Sequence, residues 1–146
     1  GFPSETAEEH REAMATLEAL PWTRLHVFPY SEREGTPALK IPLSVPVGER
    51  RARAAELMAL SKKRHEVFAG RFVGRTLEGV LFESWLEAGG DYFAVGHAAN
   101  YMRVLARAPS RTREEAERMH QRLGSARIVG ASPKPAQDWT LEGVLA

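Results

Sequence analysis

The feature that most constrains this chain is a change of hydrophobic period near Arg71. Before it, apolar residues recur at helical spacing; after it, they alternate as strands do. From Glu49 to about Phe68 helix formers dominate. Ala54, Leu57, Met58, Ser61, His65 and Phe68 make one stripe there, and Gly70 ends it. From Arg71 to Ser84, Tyr92 to His97, Tyr101 to Arg107, Ser125 to Ala131 and Thr140 to Leu145 the pattern is that of short β segments. Turn residues part them, including Gly89-Gly90-Asp91 and Ser132-Pro133-Lys134-Pro135. Ser110 to Gln121, with Thr112 and Glu115, reads as a short surface helix set in a loop. Five strands in so short a span suggest a small closed or partly open barrel of OB type. The expected fold is α+β, divided into residues 1–70 and 71–146.

Toward the N-terminus, Thr6 and Glu9 form a capping-box pattern that opens a helix running to about Leu20, where Pro21 closes it. His10, Ala13, Met14, Leu17 and Leu20 share one face, which makes His10 a core-edge residue before it is a ligand. Leu25, Val27 and Phe28 favour a strand that stops at Pro29. Beyond it project Tyr30, Ser31, Arg33 and Thr36, at the kind of strand end where α/β folds place ligands. Residues 1–31 thus have the outline strand exit, helix, strand, one crossover of a parallel sheet without its neighbours. Pro42 and Pro46 exclude a helix across Leu39 to Val47. The basic flank of the long helix, Arg50, Arg51, Arg53, Lys62, Lys63 and Arg64, reads as a solvated face or as one that meets phosphates.

Composition excludes several chemistries. The chain has no cysteine, so it holds no disulfide, no thiolate nucleophile and no ligand set for an iron–sulfur cluster. Its net charge is +1, but residues 1–47 carry four basic against seven acidic side chains, so the basic surplus lies downstream. No apolar run approaches the length of a membrane span and no secretory signal opens the chain, which places it in the cytoplasm. It begins inside a motif, which suggests that protein upstream of Gly1 is missing.

Three motifs carry a family resemblance. Phe28-Pro29-Tyr30-Ser31 followed by Arg33-Glu34-Gly35-Thr36-Pro37-Ala38 closely resembles the Phe-Pro-Tyr-Ser and Arg-x-Gly-Thr-x-Ala of the radical-SAM tRNA methylthiotransferases. Gly1-Phe2-Pro3-Ser4-Glu5-Thr6 is similar to their Gly-Phe-Pro-Gly-Glu-Thr, and Gly96 to Tyr101 to their Gly-x-Thr-x-Asn-Tyr. Leu25-His26-Val27 resembles the branch that adds a methylthio group to N6-threonylcarbamoyladenosine beside the tRNA anticodon. The likeness covers nearly the whole chain. It implies the last strand-helix-strand unit of a radical-SAM α/β barrel with a connecting helix, then a TRAM domain, a β-barrel that binds tRNA.

The resemblance also implies site residues. Gly1, Phe2, Pro3, Glu5, Phe28, Tyr30 and Ser31 would lie beside S-adenosyl-L-methionine, although Glu5 is equally a first-turn residue favoured by the helix dipole. Arg33, Thr36, Asn100 and Tyr101 would meet tRNA; Arg71, Arg75, Arg103, Arg107 and Arg127 on the strand segments, with Tyr92, Phe93 and Tyr101 as stacking surfaces between them, offer an RNA-binding face on physical grounds. Asn100 can read a base or cap a turn, and the aromatic residues can stack on bases or fill the barrel. Two positions depart from the family: Ser4 replaces a glycine and Ala98 a threonine. A serine forced to positive φ would be strained by about 1 kcal/mol. The intact enzyme would use two 4Fe-4S clusters whose ligands are absent here, and no catalytic residue or metal ligand is expected in this piece. Its partners would be tRNA and SAM, with no membrane and no DNA. A stand-alone RNA-binding module without catalysis is the other reading. A further alternative within the enzyme class is the related branch that modifies isopentenyladenosine or a ribosomal-protein aspartate; Leu25-His26 and Gly96 to Tyr101 argue against the latter.

Overall fold

A computed structural model describes residues 1–133 and 139–146, which divide into two compact units, Gly1–Arg64 and His65–Ala146.

The first unit is helical. Helix α1, Ala7–Ala19, starts where Thr6 caps it: the Glu9 amide donates to Thr6 Oγ1 at 3.1 Å, and Glu9 Oε2 accepts from the Thr6 amide at 2.7 Å. Helix α2, Val47–Gly70, begins two residues earlier than its stripe suggests. His10 is the one buried residue of α1 and bonds Glu56 of α2 at 2.9 Å. A 3-10 turn, Pro37–Lys40, lies between the helices. The strand expected over Leu25 to Phe28 does not form, nor does a strand before Thr6. Extended backbone becomes a strand only when another strand answers it, and residues 1–64 supply none. The backbone of Leu25 is instead answered by a side chain: its amide donates to Ser61 Oγ at 2.8 Å, and that hydroxyl lies 3.3 Å from its carbonyl.

The second unit is a closed barrel of β1 (Thr76–Ala88), β2 (Asp91–His97), β3 (Arg103–Arg107), β4 (Arg122–Pro133) and β5 (Trp139–Leu145), in the order β1-β2-β3-β5-β4. Only β3 and β5 run parallel. Val80, Phe82, Ala94, Val104, Ala106, Ala126, Ile128 and Leu141 are fully buried inside it. The last turns of α2 belong with this unit, and Ala69 joins the same core. Helix α3, Arg113–Arg118, buries Ala116. The five β segments are thus present with shifted ends. β1 starts at Thr76, because α2 reaches Gly70 and the chain then turns through Arg71–Gly74. Arg71 and Arg75 therefore lie outside the strands on which they were expected. Gly89 and Gly90, with φ of 60° and 80°, make the β1–β2 turn, a conformation that suits glycine. Gly96 is required by proximity, since a Cβ there would lie 2.0 Å from the Leu81 carbonyl oxygen. Of the expected Ser132–Pro135 turn, Lys134 and Pro135 lie outside the described residues.

Candidate functional site

In the first unit the family-like residues divide. Phe2 and Tyr30 meet edge to face with centroids 5.3 Å apart, and Pro3 is buried beside them in sequence. The Tyr30 hydroxyl is buried and has no hydrogen-bond partner among the described residues. Phe28 is 84% exposed, and Ser31 and Arg33 are exposed as well. Thr36 turns its hydroxyl back to the Arg33 carbonyl at 2.8 Å, so it serves its own loop. Ser4 sits at φ 67° and donates its amide to the Leu43 carbonyl at 2.9 Å. The strain expected where serine replaces glycine is therefore real.

Glu5 faces inward to a buried arginine. Arg53 Nη1 donates to Glu5 Oε2 at 2.6 Å and to the Glu5 carbonyl at 3.0 Å, the Gly1 nitrogen lies 2.7 Å from the same carboxylate, and Glu49 engages the other arm of Arg53. Burial works against the charge on Glu5, but the hydrogen bonds from the Gly1 nitrogen and Arg53 prevail and hold its carboxyl below the usual range. A carboxyl held low in the folded state adds stability that is present above its unfolded pKa and lost as pH falls through its folded one. Glu5→Gln is thus expected to melt below the parent at pH 7 and to converge on it as the pH falls through the lowered value of the folded Glu5 carboxyl. Melting curves at pH 7 and about pH 3 check this; an equal gap at both would show that the charge is not what matters.

Arg50 and Arg53 were expected on a solvated or phosphate-facing flank; the structure buries them to 4% and 5% exposure. Both are fasteners of this unit. Arg64 is likewise engaged, donating to the Glu18, Leu20 and Trp22 carbonyls with its guanidinium over the Trp22 ring. Arg51, Lys62 and Lys63 remain exposed. One signal was available: Arg50, Arg53, Ala54, Leu57 and Ser61 continue a single 3.6-residue stripe.

In the barrel the sharpest site is the β2–β3 turn. Asn100 Oδ1 accepts from the Met102 amide at 3.0 Å, the Tyr101 amide donates to the Ala98 carbonyl at 2.9 Å, and the Ala98 amide donates to the Met102 carbonyl at 3.0 Å. Asn100 is therefore a turn cap. Tyr101 sits on that turn at φ 63° with its side chain 92% exposed, so it fills no part of the core. Arg103 and Arg127 point outward from β3 and β4, exposed and without an ion-pair partner among the described residues; Arg75 is exposed too, and Arg71 lies over the Phe68 ring. No group of acidic, histidine or cysteine side chains among the described residues could hold a metal. No helix among them is long and apolar enough to cross a membrane.

No family model matches the chain. Curated relatives do. The threonylcarbamoyladenosine tRNA methylthiotransferase MtaB of Bacillus subtilis is 35% identical over 105 residues, 72% of this chain and 23% of that protein. The tRNA-2-methylthio-N(6)-dimethylallyladenosine synthase of Bacillus velezensis is 30% identical over 146 residues, the whole of this chain and 26% of that protein. The chain is a homologue of the methylthiotransferases. It spans about a quarter of the length of the relatives it matches. The ribosomal protein uS12 methylthiotransferase RimO of Lachnoclostridium phytofermentans is also 32% identical over 71% of the chain, covering 24% of that protein. Similarity to the methylthiotransferases therefore extends over several branches and does not separate their substrates.

Proposed function

We propose that this chain is the C-terminal part of a radical-SAM methylthiotransferase that modifies N6-threonylcarbamoyladenosine 3′ of the tRNA anticodon, with residues 1–70 as the end of the catalytic barrel and 71–146 as a TRAM domain that holds tRNA. The observation that carries the tRNA half is Tyr101: a bulky ring, almost fully exposed, on a backbone conformation that few side chains adopt. Strain of this kind persists where the surroundings enforce it and recurs at binding sites. With no cost in core packing, such a ring offers a stacking face to an unpaired base, and the exposed Arg103 and Arg127 offer charge to the backbone.

The SAM half rests on Phe2 and Tyr30. Their edge-to-face pair and the unanswered Tyr30 hydroxyl fit a planar, polar-edged group such as adenine. Glu5 fits less well, because Arg53 already occupies it. When bound, SAM would supply the radical precursor and the methyl group, while two 4Fe-4S clusters would require cysteines from elsewhere in the intact enzyme. A tRNA substrate would place that enzyme in the cytoplasm.

The barrel has a closed sheet and a core of its own, which also favours a stand-alone RNA-binding module. Reading the coding sequence upstream of Gly1 for an in-frame Cys-x-x-x-Cys-x-x-Cys distinguishes the two. The chain alone is expected to release no 5′-deoxyadenosine after anaerobic reconstitution with iron and sulfide. A stoichiometric cluster together with SAM cleavage would overturn this assignment of labour.

A further inference from the structure

The outward face of β3, β5 and β4 holds a groove of about 440 Å³ that the motifs do not include. Phe93, Leu105, Val129 and Val144 line it with apolar surface, and Arg107 and Glu142 add the charges. Its volume lies in the range that takes small ligands. Strand register explains the layout: Arg107 of β3 and Arg127 of β4 both pair with Val144 of β5, so two arginines flank one apolar position, and Phe93 of β2 stands on the far side of Arg107. Arg107 is half-buried there and has no ion-pair or hydrogen-bond partner among the described residues. A guanidinium partly withdrawn from water and not ion-paired with a carboxylate is prepared for an anion.

We propose that this groove is a nucleotide subsite for one unpaired residue of an RNA strand, with Arg107 and Arg127 on its phosphate and Leu105, Val129 and Val144 under its base. Glu142 sets the direction. It stands opposite Leu105 in the ladder and its carboxylate accepts from Ser132 Oγ at 2.5 Å, so an acidic, hydrogen-bonded group marks the end of the groove away from the Arg107–Val144 pair. β3 carries Arg103, Leu105 and Arg107 on its outward side and leaves the turn that bears Tyr101. One strand can therefore run from the Tyr101 ring along β3 into the groove. The proposal rests on the reading of tRNA as partner and adds to it a second contact point.

The test is tRNA binding by the full chain, by fluorescence anisotropy at several salt concentrations, for the parent, Arg107→Gln, Leu105→Asp and Tyr101→Ala. Arg107→Gln should weaken binding about tenfold and flatten the log-log salt dependence by about 0.7. Leu105→Asp should weaken it at least as much through repulsion. Thermal melts of both should stay close to the parent; a variant that melts early is replaced by Val144→Thr, which keeps shape but makes the floor polar and should also bind more weakly. If Arg107→Gln and Leu105→Asp bind as the parent does while Tyr101→Ala does not, the groove is off the RNA path and the proposal falls alone. If the parent itself fails to bind tRNA at low salt, the reading beneath it falls as well.

Discussion

Arg50→Ala is expected to destabilise the first unit by about 3 to 4 kcal/mol. The guanidinium has one donor on each of four groups: Nε to the Val45 carbonyl at 2.6 Å, Nη1 to the Tyr30 carbonyl at 3.2 Å, and Nη2 to Glu32 Oε1 at 2.6 Å and Ser44 Oγ at 2.8 Å. It also lies 5.2 Å from the centroid of the Tyr30 ring. Glu32 is half exposed, so its ion pair is screened and adds little; the larger loss is at the two carbonyls, which alanine leaves without their donor. Arg50→Lys should restore less than half, because one ammonium cannot satisfy a fork of partners. Trp22 lies in this unit and Trp85 in the barrel, so single-tryptophan variants can follow each unit separately. Early loss of the Trp22 signal with an unchanged Trp85 transition is the expected result. Parent-like melting of Arg50→Ala would show that these bonds merely replace bonds to water.

Tyr101→Ala is expected to cost about 1 to 3 kcal/mol in tRNA affinity, up to roughly a hundredfold in dissociation constant, with the melting temperature almost unmoved. The structure removes the competing outcome. A core tyrosine would cost several kcal/mol of folding stability on truncation, but this ring is 92% exposed and lies outside the core cluster. Alanine inherits the same positive φ, so the backbone strain is nearly unchanged. The salt slope should also stay as it is, because a stacked ring displaces no counterions. Full affinity in Tyr101→Ala would mean that the exposed ring has no RNA role.

Local signals were legible in the sequence, and those that depend on a distant partner were not. The Thr6–Glu9 capping box is contained within four residues, and it forms as expected. The barrel strands were readable because Val104 and Ala106 alternate with Arg103 and Arg107, which is how one face is buried and the other wetted. Leu25 to Phe28 carried an equally good strand signal, yet propensity without a neighbouring strand left it extended against Ser61. Arg50 and Arg53 looked like surface charge because their residue type outweighs their place on the buried stripe. Only the partners, backbone carbonyls and carboxylates near the start of the chain and in the segment between α1 and α2, explain their burial. At the β2–β3 turn the Asn100 cap was foreseeable from its residue type, whereas Tyr101 at positive φ was not, since tyrosine is rarely found there.

We propose that the barrel, and not the basic side of α2, is where this chain holds tRNA. One titration decides it: tRNA affinity against salt for the parent, for Arg103→Gln/Arg127→Gln and for Lys62→Gln/Lys63→Gln, each variant removing two exposed charges. The barrel variant should bind more weakly at low salt and lose between one and two units of log-log slope, while the helix variant follows the parent. Parent-like binding by the barrel variant with a loss confined to Lys62→Gln/Lys63→Gln would contradict it.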